Sequence, residues 1–124
     1  MRLSLAVLLL FSAAACRAQE VGIQQPGWRG LAISMAVHGA ATGFDSWTSW
    51  QRPERNGLLA DNGRFTAKSV SIKSGVVAGV SLIEILVVKK WGAKHPWIQR
   101  ACQIGNFTSA GILTSAGLSN LRRR

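Results

Sequence analysis

Acidic residues are scarce in this chain. Five Asp and Glu stand against fifteen Lys and Arg in 124 residues, a formal net charge of +10. Such a chain attracts phosphates and anionic headgroups and repels cations. Imidazoles and thiols are scarcer still, with two of each. His38 and His95 are too few and too far apart in sequence for a metal site. There is no Gly-rich phosphate loop, no nucleophile elbow and no Cys-x-x-Cys, so neither catalysis nor a cofactor is expected. Cys16 falls in the amino-terminal segment and leaves with it if that segment is a removable signal. Cys102 would then be the lone thiol, which excludes a small-domain disulfide framework. The length allows one domain at most.

What is present is apolar. The chain is 48% hydrophobic with 13 glycines, whereas a disordered basic arm would have few apolar residues. Lys and Arg gather at the margins of apolar runs, as a bilayer selects. Arg2, the run Leu3 to Ala15 and the small residues after it have the layout of a secretory signal over residues 1–18, cut after Ala18. A run of about 13 residues is short for a span of roughly 20, which disfavours an anchor. An uncleaved first helix is the alternative. A further alternative is lipidation at Cys16, since Ala13-Ala14-Ala15-Cys16 loosely resembles a lipid-attachment box.

Residues 19–124 read as a single all-α domain, with helices over about 30–50, 66–89 and 97–121. Pro53, Asn56-Gly57 and Asn62-Gly63 punctuate the connection from Gln51 to Arg64. Thr66 is a candidate cap for the second helix. That helix is rich in Val and Ile but too long for a strand, and a bilayer forbids the unpaired backbone that would break it. The break from Lys89 to Trp97 combines Gly, Pro, three Lys and two Trp, the composition of a headgroup-level connection. The last segment, Ala101 to Leu121, holds no charge and would be about 31 Å long as a helix. The expectation is a small helical membrane protein with two to three transmembrane helices after the signal helix.

Two Gly-x-x-x-Gly spacings, Gly39 to Gly43 and Gly75 to Gly79, are candidates for close helix packing. In a hairpin folded about Leu59, residues at equal depth have numbers summing to 118. Gly39 with Gly79, Gly43 with Gly75, and Asp45 with Lys73 all obey this rule. They cannot all be contacts, because the charges and the glycines lie on different faces of their helices. Either the glycines meet or the charges do. The polar candidates at membrane depth are His38, Asp45, Lys73 and Glu84, which with Ser34 could form one polar side of a three-helix bundle. Lys89 and Lys90 stand one turn beyond Glu84 and could neutralise it. His38 and Asp45 are seven apart, near 10 Å on a helix, too far to act as a dyad. Asn106-Phe107-Thr108 fits a glycosylation sequon, discounted inside an apolar segment. The candidate partner surface is the connecting loop, through Arg52, Glu54, Arg55, Asn56 and Arg64.

Asp45, Thr48 and the run Glu54-Arg55-Asn56-Gly57-Leu58-Leu59 resemble a pattern in uncharacterised small bacterial integral membrane proteins. In those, Asp and Thr late in one helix precede Glu-x-Asn-Pro-Leu, then a Gly-rich apolar helix, a basic break and a last helix. Gly57 stands where their proline stands. The resemblance implies a membrane location and the identity of the loop, and supplies no mechanism. The expected function is that of a non-catalytic protein of the bacterial cell envelope, in the inner membrane, acting through helix packing or as a small subunit. The expected partners are the lipid bilayer and this chain itself or another membrane protein, with nucleic acid disfavoured. The alternatives are an exported basic protein on anionic lipid or nucleic acid, and a small ion or proton carrier using Asp45, Lys73 and Glu84.

Overall fold

A computed structural model describes residues 27–122. They form three long helices and one short hairpin, an all-α architecture in the broad sense. The expected signal over 1–18, Cys16 within it, residues 19–26, Arg123 and Arg124 lie outside the described residues.

Helix α1, Trp28–Ser49, starts at Gly27, whose φ of 110° only glycine adopts readily and whose carbonyl accepts from Leu31 N (3.2 Å). It stops where Gln51 turns to φ 61° and donates its N–H to Phe65 O (2.9 Å). The chain then pairs with itself. Strand β1, Ala60–Asp61, lies antiparallel to β2, Arg64–Phe65, and Pro53 bridges to Arg64 on the other side of β2. Asn62 (φ 50°) and Gly63 (φ 72°) make the turn, since a tight hairpin needs two left-handed residues and Asn-Gly supplies them cheaply.

Helix α2, Ala67–Trp91, starts at Thr66, whose N–H donates to Ser69 Oγ (2.9 Å). Ser69 Oγ in turn donates to Leu59 O (2.5 Å), so one buried hydroxyl ties the helix start to the loop. Residues 92–95 turn tightly, with Lys94 N and His95 N both donating to Trp91 O. Helix α3, Pro96–Arg122, then runs back along α1.

Side-chain partners give the directions. Gln103 reaches Gly27 O, Asn106 reaches Ser34, and Asn120 reaches Ser49, so α1 and α3 are parallel and α2 is antiparallel to both. The α1–α3 seam is made of small residues. Ala41, Thr42, Ser46 and Thr48 are buried from α1, Ala110 and Gly117 from α3. At Gly117 a Cβ would lie 2.5 Å from the Phe44 ring, so the seam closes there because α3 has no side chain.

The expected glycine pairing does not occur. A Cβ on Gly43, Gly75 or Gly79 would meet nothing within 4 Å, while Lys73 meets Asp45. The reason is rotational. Helix α2 turns the stripe Ser69, Lys73, Val77, Glu84 and Val88 toward the bundle, and Gly75 and Gly79 lie about 200° round from Lys73 and Val77.

The interior is small and polar. Among the described residues, Ser34, Thr42, Asp45, Ser46, Thr48, Ser69 and Asn106 are buried beside Leu31, Ala41, Phe65, Val77, Val88 and Ala110. The large apolar side chains are mostly outside. Val76, Leu82, Ile83 and Leu86 of α2 are each more than half exposed, as are Ile33, Ile104 and Ile112 on the other helices. Among the described residues α2 alone is long and apolar enough to cross a membrane.

Candidate functional site

Two polar groups lie inside the bundle at different heights. The first is centred on Asn106 of α3, which is 2% exposed. Its amide donates to Glu84 Oε2 of α2 (2.8 Å) and to Ser34 Oγ of α1 (3.3 Å). Its Oδ1 lies 3.1 Å from His38 Nδ1 of α1, which fixes Nδ1 as the protonated ring nitrogen of that bond. Ser34 Oγ donates to Leu31 O (2.8 Å), completing its own needs within α1. One side chain thereby links all three helices, and its two amide hydrogens and its carbonyl oxygen are all engaged. Buried polar groups of this kind rigidify a core when every member is satisfied.

The second group stands nearer the loop. Lys73 Nζ of α2 lies 2.5 Å from Asp45 Oδ2 of α1, with the two side chains 20% and 6% exposed. The ammonium also sits 4.8 Å from the centre of the Phe65 ring, and Phe65 is 1% exposed. Asp45 therefore receives its counter-ion from above while Thr48 Oγ1 caps its backbone carbonyl (3.0 Å). The ammonium on the ring face adds a cation–π contact to the ion pair.

The five polar residues expected to form one side are thus divided. Ser34, His38 and Glu84 meet through Asn106, and Asp45 and Lys73 meet separately. Glu84 does not turn to Lys89 or Lys90, because it lies on the stripe facing α3 and takes the amide of Asn106 instead. The Asp45–Lys73 pair is the one salt bridge among the described residues. Asn106 is the residue that sequence reasoning missed as a centre. The available signal was an Asn in the middle of a charge-free segment rich in Gly, Ala, Ser and Thr, a side chain too polar to face apolar surroundings without partners.

The loop residues mostly bond to the loop itself. Glu54 Oε1 accepts from Asn56 N (2.9 Å), Asn56 Oδ1 accepts from Leu58 N (3.1 Å), and Arg64 Nη1 donates to Gln51 O (3.2 Å). Leu59 N and Ala60 N both donate to Asn56 O, making Gly57 the first central residue of the turn. Arg55 is exposed and Arg52 partly so. Gly57 has no positive φ, nothing lies within 4 Å of an added Cβ, and it takes the first central position of the turn, where proline is favoured.

Among the described residues no group of three His, Cys, Asp or Glu stands together that could hold a metal ion. One groove of about 390 Å³ is shallow and apolar, lined by Val37, Ala40, Ala41, Phe44, Thr114 and Leu118. Compared with known proteins, the chain matches no family model, no curated protein and no solved structure.

Proposed function

We propose that this chain is a non-catalytic integral membrane protein of the bacterial cell envelope, acting through helix packing as a small subunit or an oligomer. One observation carries the reading: the distribution of polarity is inverted. Small and polar side chains fill the interior, while the large aliphatic side chains of α2 face outward around most of its circumference. In water that exposed surface would be a liability, whereas in hydrocarbon it is the natural outer face. The tryptophans support it. Trp28, Trp91 and Trp97 stand at one end of the bundle and Trp47 and Trp50 at the other, as in interfacial belts. Trp28 and Trp47 are separated along α1 by about 28 Å at the helical rise, close to a hydrocarbon core of about 30 Å. In this reading α2 spans, and α1 and α3 cross beside it with their polar faces turned inward. The inner membrane is the location proposed.

The closed network around Asn106 supports a packing role for Glu84 and His38 rather than a conducting one. The similarity of the loop to that of small bacterial membrane proteins is consistent with the same location. The test is extraction of a carboxyl-tagged full chain from isolated membranes by high salt and then alkaline carbonate. Retention through both is expected. Release by salt would overturn the proposal and favour a peripheral basic protein.

A further inference from the structure

The two ends of the bundle differ in charge. At the loop end, Arg52, Arg55, Arg64, Lys68, Lys73 and, at the end of α3, Arg122 are interspersed with Asp45, Glu54 and Asp61, and Lys73 is already paired. At the other end, α1 begins, α2 ends and α3 begins. Arg29, Lys89, Lys90, Lys94 and Arg100 gather there with no carboxylate among the described residues of that end. Neither α1 nor α3 has an acidic residue in its first turn. Glu84, the nearest described carboxylate in sequence, is turned inward onto Asn106. Among the described residues these five cations have no carboxylate counter-ion within the bundle, and anions from outside would supply one.

The same end carries the tryptophans Trp91 and Trp97, 42% and 67% exposed, and the Lys90 ammonium lies 4.7 Å from the centre of the Trp91 ring. That combination selects among polyanions. A nucleic acid would need a basic face open along its length. Here the cations stop where the apolar surface of α2 begins, so the charge forms a collar at the limit of a hydrophobic belt rather than a stripe. The tight turn over 92–95 holds Lys89, Lys90 and Lys94 close in sequence to the start of α3 and Arg100.

We infer that this end is a binding surface for anionic phospholipid headgroups, formed by Arg29, Lys89, Lys90, Lys94 and Arg100 with Trp91 and Trp97 at the interface. The inference rests on the membrane reading above and adds its lipid partner. The lipid phosphates supply the missing counter-ions, and the tryptophans set the depth at which the collar meets them. Each exposed cation next to an anionic leaflet is worth roughly a fivefold change in affinity.

The test uses the full chain in nanodiscs of phosphatidylcholine with a minor fraction of labelled phosphatidylglycerol, and measures how much of each lipid stays with the protein on transfer to detergent. A variant with Lys89→Gln, Lys90→Gln, Lys94→Gln and Arg100→Gln is compared with a loop-end variant, Arg52→Gln, Arg55→Gln and Arg64→Gln. Wild type and the loop-end variant should retain phosphatidylglycerol in preference, and the four-fold variant should lose that preference by at least an order of magnitude. Glycerol phosphate should compete poorly, because a soluble headgroup lacks the chains that hold it at the collar. Equal retention of the two lipids by wild type would overturn the inference, as would equal loss in the loop-end variant. Effective competition by glycerol phosphate would assign the site to free phosphate esters instead, and tighter binding of a DNA duplex than of phosphatidylglycerol discs would replace lipid by nucleic acid. Carbonate extraction of the same preparations separates the two claims: a retained protein without lipid preference defeats only the headgroup site, whereas an extracted one defeats the membrane reading. Circular dichroism of the four-fold variant checks that its helices persist, as expected for substitutions of exposed side chains.

Discussion

Replacing Asn106 by leucine should loosen the bundle, and replacing its partner as well should tighten it again. Leucine branches at the same carbon as asparagine and fills a similar volume, so the substitution tests hydrogen bonding more than packing. Three bonds are lost, to Glu84 (2.8 Å), Ser34 (3.3 Å) and His38 (3.1 Å). Ser34 keeps its own bond to Leu31 O, so two groups are left in need. A bond inside a membrane bundle contributes about 0.6 kcal/mol on average, and an orphaned buried group costs about 1–3 kcal/mol. The loss for Asn106→Leu is therefore about 2–3 kcal/mol, a fall in melting temperature on the order of 10 °C for a chain of this size. Adding Glu84→Leu removes the more costly orphan and replaces it with apolar contact, so the double variant should recover at least half of the loss. Glu84→Gln alone keeps an acceptor for the amide and should cost under about 1 kcal/mol. The assay is thermal melting of the full chain in a mild detergent, followed by circular dichroism. An Asn106→Leu chain as stable as wild type, or a double variant less stable than either single one, would refute the claim that this amide holds the three helices together.

Three further outcomes follow from the geometry. Gly117→Val should destabilise by about 2 kcal/mol or more in the same melt, because its Cβ would fall 2.5 Å from the Phe44 ring, whereas Gly75→Ala and Gly79→Ala, with open space, should be neutral or stabilising by up to about 1 kcal/mol. Lys73→Met should cost about 2 kcal/mol by leaving Asp45 buried without its counter-ion, and Asp45→Asn in the same chain should restore part of it in a double-mutant cycle. Gly57→Pro should stabilise by about 0.4–1 kcal/mol, since Gly57 takes the first central position of the turn, where proline is favoured, and slower proteolysis of the loop would report it.

The helices were legible because their ends carry chemical marks. Pro53, Asn56-Gly57 and Asn62-Gly63 bound the first connection, Thr66 starts α2, and Gly92 with Pro96 separates α2 from α3, so the expected ranges differ from α1, α2 and α3 by one or two residues at most ends. The hairpin β1–β2 is legible in the sequence only through its Asn-Gly turn, since two-residue strands have no periodicity to detect. The rotation of each helix was harder. In a soluble bundle the apolar stripe declares which side faces in, but α2 is apolar nearly all round and its hydropathy has no preferred side. The glycine spacing of α2, Gly75 and Gly79, marks an exposed face that carries no contact, although Gly39 of α1 is buried. What turns α2 is Lys73 reaching Asp45 at one height and Glu84 reaching Asn106 at another, and only the first of these could be anticipated, from the shared sum of the hairpin positions. The second needed α3, whose parallel course beside α1 is set by a seam of small residues with no distinctive signature. In a chain whose interior is the polar part, the few polar side chains within the apolar segments carry the information on helix orientation. Asn106 is such a side chain, in a segment whose average composition, small and uncharged, says nothing of which side faces in.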